Sequence, residues 1–222
     1  MLWLNIPYVQ KNLAKENGAK WNPERRQWYT DERKKYVKLQ KWILSGKPYA
    51  CVVCNHFYIV EGKRICFKCG CITKVIAFGI DKFLELYEPD EDGRYFTWHN
   101  ENEGVHIVCE INNLSESFKR YLRDNYSYYD SYSKFADVSY MSNHCQACGV
   151  KQGDYYLFDE PDSPFLVATK EDAENLKLIE IELHEDVVFD LEMLDVLILG
   201  DDSSERLIKK YSQKCKRLID YN

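Results

Sequence analysis

What this 222-residue sequence lacks narrows it first. It has no apolar run long enough to cross a bilayer, because its longest apolar stretch, residues 187–199, is interrupted by Asp190, Glu192 and Asp195. At the N-terminus, Asn5 and Pro7 break up the hydrophobic start, so no basic segment, apolar core and cleavage site follow one another. The expectation is a soluble, cytoplasmic protein with no membrane partner. There is no glycine-rich phosphate loop, no His-Glu-x-x-His and no Gly-x-Ser-x-Gly, and the five histidines are scattered. The pairs His99/Glu103 and His106/Glu110 have a spacing that chance supplies among 36 acids, so no catalytic residue is assigned and the chain is read as a non-enzyme.

What is present is cysteine. Nine cysteines, an odd number, with no secretion signal favour metal ligation over disulfides. Six of them form three Cys-x-x-Cys pairs: 51 with 54, 66 with 69, and 145 with 148. Two thiolates three residues apart can grip one tetrahedral Zn²⁺, so one ion needs two pairs. A local solution joins Cys51, Cys54, Cys66 and Cys69, with eleven residues between the pairs. A long-range solution joins Cys66, Cys69, Cys145 and Cys148, the two pairs followed by glycine, Gly70 and Gly149. The second is favoured, because the first strands Cys145 and Cys148. It makes a zinc ribbon split by a 75-residue insertion. Four thiolates leave no open coordination position, so zinc is structural in this reading. Cys51 and Cys54 are then either buried thiols or, with His56 and Cys71, a second metal site. His144, next to Cys145, is a candidate to orient a sulfur.

Charge is distributed unevenly. Residues 1–49 carry eleven Lys and Arg against four Asp and Glu, whereas residues 154–205 hold seventeen acids against Lys170 and Lys177. Either the basic head meets a polyanion or the two ends of the chain attract each other. Lys20, Arg25, Arg26, Arg33, Lys34 and Lys38 are the candidate phosphate contacts, with Trp21 or Trp28 as a stacking surface for an unpaired base. Both tryptophans have a competing role as the core of a small module.

The head itself, residues 1–47, reads as a β-α-β-β-α module. A strand at 3–6 precedes a helix at 8–17 that Gly18 closes, a hairpin turns at 22–25, and a second helix starting after Thr30 ends near Gly46, with Tyr36, Leu39 and Ile43 on its inner face. Leu4-Asn5-Ile6-Pro7-Tyr8, Lys11, Ala14-Lys15, Gly18-Ala19-Lys20-Trp21, Pro23-Glu24 and Gln27-Trp28-Tyr29 resemble a small domain of unknown function that recurs in conjugative-plasmid primases and other mobile-element DNA proteins. The resemblance implies the company of DNA metabolism and no chemical activity.

After a linker at 45–49, residues 50–222 are expected to form a larger antiparallel-sheet domain around the split zinc ribbon, for an α+β chain overall. Strands are expected at 74–80, 83–87, 94–99 and 105–111, a helix at 114–125, a β-prone run at 155–158, a short helix at 171–176, a strand at 177–183 and a last helix at 204–219. Cys66-Phe67-Lys68-Cys69-Gly70, Asn143-His144-Cys145-Gln146-Ala147-Cys148-Gly149 and the following Gln152-Gly153-Asp154-Tyr155-Tyr156-Leu157 resemble uncharacterised bacterial proteins with the same two knuckles. Two functions are carried forward. One is a zinc-stabilised nucleic-acid-associated accessory protein of a bacterial mobile element or phage, touching nucleic acid through the head. The other is an adaptor or inhibitor whose acidic C-terminal part docks a protein partner.

Overall fold

The computed structural model of this chain describes residues 1–88, 96–134, 137–191, 202–217 and 221. It is an α+β structure whose chain divides into two units, the first made of Met1–Asn55, Lys82–His99 and Leu183–Asp190, the second of His56–Asp81, Asn100–Glu182 and Leu191–Asn222. Each is described by itself.

The first unit begins with the β-α-β-β-α order. Strands β1 (Leu2–Leu4), β2 (Lys20–Asn22) and β3 (Gln27–Thr30) form an antiparallel sheet in the order β1-β3-β2. Helix α1 (Lys11–Glu16) follows a single 3-10 turn at Tyr8–Gln10 and is closed at Gly18, whose φ of +98° suits glycine. A Cβ at Gly18 would also fall 2.3 Å from the Lys35 side chain. The second helix differs from the continuous one expected. It breaks into two 3-10 turns, Arg33–Lys35 and Val37–Leu39, before α2 (Gln40–Leu44), and Thr30 remains the last residue of β3. Tyr36, Leu39 and Ile43 are buried as the helical spacing predicts.

The expected boundary at residues 48–49 does not coincide with the division between units. The core of Leu2, Leu4, Trp28, Tyr36, Leu39 and Trp42 continues into Ala50, Val52, Leu84 and Leu86. These belong to a second sheet, ordered β13-β4-β7-β8, of β4 (Tyr49–Val53), β7 (Phe83–Tyr87), β8 (Phe96–His99) and β13 (Val187–Phe189). The physical reason is size: fewer than fifty residues bury too little apolar surface for an independent core. Cys51 and Cys54 sit here, fully buried. The strands expected between the knuckles therefore do not share one sheet, since 83–87 and 96–99 pair in this unit.

The second unit is built on a five-stranded sheet, order β14-β12-β5-β6-β9, of β5 (His56–Ile65), β6 (Ile72–Ile80), β9 (His106–Val108), β12 (Lys177–Glu182) and β14 (Gln213–Arg217). All neighbours are antiparallel except β12 and β14. One face packs Tyr58, Val60, Val75 and Ala77 against Leu157, Phe165, Leu176 and Ile208, which come from α4 (Tyr155–Phe158), the segments around α5 (Lys170–Glu174), and α6 (Asp202–Tyr211). On the other, Phe57 meets Phe118 of α3 (Glu116–Tyr126) edge-on, and Phe78 meets Tyr128 of the hairpin β10 (Tyr128–Ser133) and β11 (Val138–Asn143).

Two expectations change here. Residues 155–158 are helical, because Phe158 and Leu157 donate back to Asp154 and fold the run as a turn. The last helix stops at Tyr211, and residues 213–217 are a strand parallel to β12, carrying Cys215. Ser212 still donates to Ile208, but Gln213 donates to Leu176 across the sheet, so tertiary pairing overrides local helix preference. Leu218 and Ile219, expected on the helix stripe, lie outside the described residues.

Candidate metal centre

Hairpin β5–β6 turns at residues 66–71, and this turn is the first knuckle. Cys66 N donates to Cys71 O at 2.9 Å, and Gly70 N to Cys66 O at 2.9 Å. The second knuckle repeats the pattern: Cys145 N donates to Val150 O at 2.9 Å, and Gly149 N to Cys145 O at 2.8 Å. Gly70 and Gly149 have the same φ of +70°, a left-handed value that lets each turn close. An isolated pairing of His144 with Lys151 completes the second turn. Two knuckles far apart in sequence are thus the same backbone object.

They meet. The four sulfurs of Cys66, Cys69, Cys145 and Cys148 all lie within 4.8 Å of one another, with Cys66–Cys148 and Cys69–Cys145 each at 3.7 Å. A tetrahedral ion with zinc–sulfur bonds of about 2.3 Å needs sulfurs about 3.8 Å apart. A disulfide needs about 2.05 Å, and all nine cysteines are free. The residues present therefore fit a tetrahedral four-sulfur metal site. They are the set favoured from the sequence, and among the described residues they are the group of side chains placed so that it could hold a metal ion.

Backbone amides prepare the sulfurs. Burial opposes ionisation of Cys66, but the amides of Cys69 and Lys68 outweigh it and bring the thiol down to about 6. At Cys145 burial is likewise overcome, by the Cys148 and Ala147 amides, and the thiol is lowered. Metal binding needs the deprotonated form.

Polar side chains tie the knuckles to the scaffold. Gln152, fully buried, donates through Nε2 to Cys66 Sγ at 3.6 Å and to Val150 O at 3.1 Å. Thr73 Oγ1, just after the first knuckle, accepts from Gln146 N of the second at 3.1 Å. Asn143 binds both backbone groups of Ile76, at 2.7 and 2.9 Å. His144 does not take the role expected of it: its Nδ1 lies 2.9 Å from Ser142 O and its ring stacks on Tyr129 at 3.9 Å. Gln152 is the side chain that reaches a sulfur. Its sequence signal was only that it follows the knuckle by three residues.

The alternatives for Cys51 and Cys54 separate clearly. Burial, first of all, pushes the Cys51 thiol well up and the Cys54 thiol up to about 12. Both are buried thiols of the first unit, and among the described residues neither belongs to a group of side chains that could hold a metal ion.

The six candidate phosphate contacts divide. Lys20 is 2.7 Å from Asp31, Arg25 is 3.2 Å from Glu185 and lies over the Trp3 ring, and Lys34 is 3.1 Å from Glu32. Arg33 is bound through Nε and Nη2 to Asp186, both at 2.7 Å, and to Asn55. Tyr36 donates to the same Asp186 at 2.6 Å, and Lys47 pairs with Asp190 at 2.8 Å. Arg26 and Lys38 are exposed. The tryptophans divide too. Trp28 is buried, whereas Trp21, opposite it on the edge strand β2, is 47 % exposed.

The histidines meet acids other than those their spacing suggested. His99 lies 2.8 Å from Glu85 under a stacked Phe83, and His106 lies 2.7 Å from Glu205. His56 is 2.9 Å from Asp81, which also binds Tyr58 and Lys209.

Compared with known proteins, residues 1–43 match the model of a domain of unknown function, DUF5710. No curated protein and no solved structure matches the chain. No helix among the described residues is long and apolar enough to cross a membrane.

Proposed function

We propose that the chain is a zinc-stabilised, non-catalytic, nucleic-acid-associated accessory protein of the cytoplasm, serving bacterial mobile-element or phage DNA. The observation that carries this reading is the outer edge of the head: Trp21 stands half-exposed on edge strand β2, and the adjoining turn presents Arg26, with Lys38 exposed on the same module. An exposed indole beside cations holds single strands without sequence preference, by stacking and phosphate neutralisation. The resemblance of the head to a primase-associated domain adds DNA metabolism as context. Zinc is the ion that four thiolates at these separations suit, and closed four-sulfur coordination assigns it a structural task.

The adaptor reading is weaker on one point. Glu185, Asp186 and Asp190 are engaged by Arg25, Arg33 and Lys47, so these acids of the C-terminal part are already neutralised within the first unit. Fluorescence polarisation of the zinc-loaded protein with labelled single-stranded and duplex DNA, over a range of salt, tests the proposal. Affinity that falls with salt supports it; no binding, or binding indifferent to salt, overturns it.

A further inference from the structure

The β5–β6 hairpin outruns its sheet. Strand β12 pairs with β5 only as far as Glu61, and β9 pairs with β6 only from Phe78 onward, so residues 62–65 and 72–75 pair with each other alone among the described strands. The two faces of this projecting tip are unlike. On one, Gly62 leaves room for Pro164, Phe165 and Leu176, and Arg64 binds Tyr156 O at 2.8 Å. On the other, Lys63 lies directly opposite Lys74 and Ile65 directly opposite Ile72.

That second face is open. Ile65 is 66 % exposed and Ile72 73 %, and Phe67, inside the first knuckle, is 66 % exposed. Two like charges set opposite each other across a ladder repel, and among the described residues only Lys74 has a partial remedy, Glu61 at 3.5 Å. Lys68 at the knuckle tip adds a further cation. On this face and at the knuckle tip Lys63, Lys68 and Lys74 stand against Glu61 alone, in a chain whose net charge is −6. A locally basic, aromatic-tipped face on an acidic protein complements a polyanion with apolar rings, which is a single-stranded nucleic acid.

We infer that the outer face of the first knuckle, Lys63, Ile65, Phe67, Ile72 and Lys74, is a single-strand nucleic-acid contact: the lysines neutralise phosphates and Phe67 stacks on an unpaired base. The metal fixes the turn that carries Phe67, so the ring is ordered before the strand arrives. This rests on the nucleic-acid reading above and moves its principal surface from the head to the zinc tip, which helps explain why so many head cations are engaged internally.

The test is fluorescence polarisation of the full, zinc-loaded chain with a labelled mixed-sequence single-stranded DNA, with zinc content checked for every variant. Lys63→Glu/Lys74→Glu is expected to weaken binding at least tenfold and to flatten the slope of log affinity against log salt by about 1.4, two phosphates' worth for a single strand. Phe67→Ala is expected to cost about tenfold with the slope unchanged, and Phe67→Trp to restore it. If Phe67→Ala loses zinc, the lysine pair, outside the knuckle, decides the matter. Wild-type affinity in the lysine variant together with loss in Arg26→Glu/Lys38→Glu would overturn this inference and leave the nucleic-acid reading standing. No salt-dependent binding by the wild type removes both. Unchanged DNA binding combined with loss of a co-purifying protein in Phe67→Ala would make the face a protein dock and overturn it equally.

Discussion

Each of the two units holds a distant piece of chain, and each does so by different chemistry. In the second, two identical knuckles bring residues 145–148 to residues 66–69 through sulfur, with amides and Gln152 preparing the site for a metal. In the first, residues 183–190 are held to the head by charge: Asp186 receives Arg33 and Tyr36, Glu185 receives Arg25 and the Trp3 indole, and Asp190 receives Lys47. A metal clamp is all or none and needs few residues of fixed type. An ion-pair seam is graded, and any acid in the right place serves. The first unit should therefore respond to acid and the second to chelation.

The largest effect expected is loss of the clamp. Cys66→Ser and Cys145→Ser should damage the second unit equally, because binding energy on the order of 10 kcal/mol is available from a structural zinc site. Cys51→Ser, which puts a hydroxyl in an apolar strand, should cost only about 1–3 kcal/mol. Melting curves of the three variants check this, and a Cys145→Ser protein as stable as wild type would break the comparison.

Next comes the seam. Asp186→Ala leaves Arg33 without its carboxylate and should cost about 3 kcal/mol, the lower end for a buried pair because the guanidinium is partly in solvent. The pH dependence has a definite sign. Burial raises the Asp186 pKa, but Arg33 and Tyr36 outweigh it, so the folded value lies below the ordinary one. Its contribution is present above about pH 4, the unfolded value, and is lost as pH falls through the folded value. Acid titration of wild type against Asp186→Asn, followed by a first-unit probe such as Trp28 fluorescence, should show the wild type losing its advantage only below that pH.

Smaller effects sharpen the contrast. Gln152→Ala removes the donor to Cys66 and should weaken metal affinity about tenfold while leaving stoichiometry unchanged, as read by competition with a chromophoric chelator. Lys47→Ala, at an exposed pair with Asp190, should change stability by less than about 1 kcal/mol.

The same contrast explains what the sequence disclosed. The meeting of the four cysteines was legible because a tetrahedral sulfur site demands fixed residue types at fixed spacing: Cys-x-x-Cys-Gly twice singles out the same four side chains without any knowledge of the fold. The strand at 83–87, the strand expected at 177–183 and found at Lys177–Glu182, and helix α3 were legible from periodicity, whereas the cap Ser115, which accepts from Phe118 N, was not singled out. The seam was not, since Glu185 and Asp186 are two acids among many, and nothing local aims them at Arg25 and Arg33. The same blindness hid Gln152, the sharing of one core by residues 2–44 with Ala50, Val52, Leu84 and Leu86, and strand β14, whose Lys-Cys-Lys-Arg composition does not announce a strand until β12 pairs with it. Local rules read turns and ligands; long-range pairing is written in no single segment.

Native mass spectrometry of the intact protein, wild type beside Cys145→Ser, addresses the sulfur clamp most directly. One zinc per wild-type chain and none in the variant is the predicted result. A wild type with no metal, or a variant that keeps its ion, would contradict the joining of the two knuckles on which the account of the second unit stands.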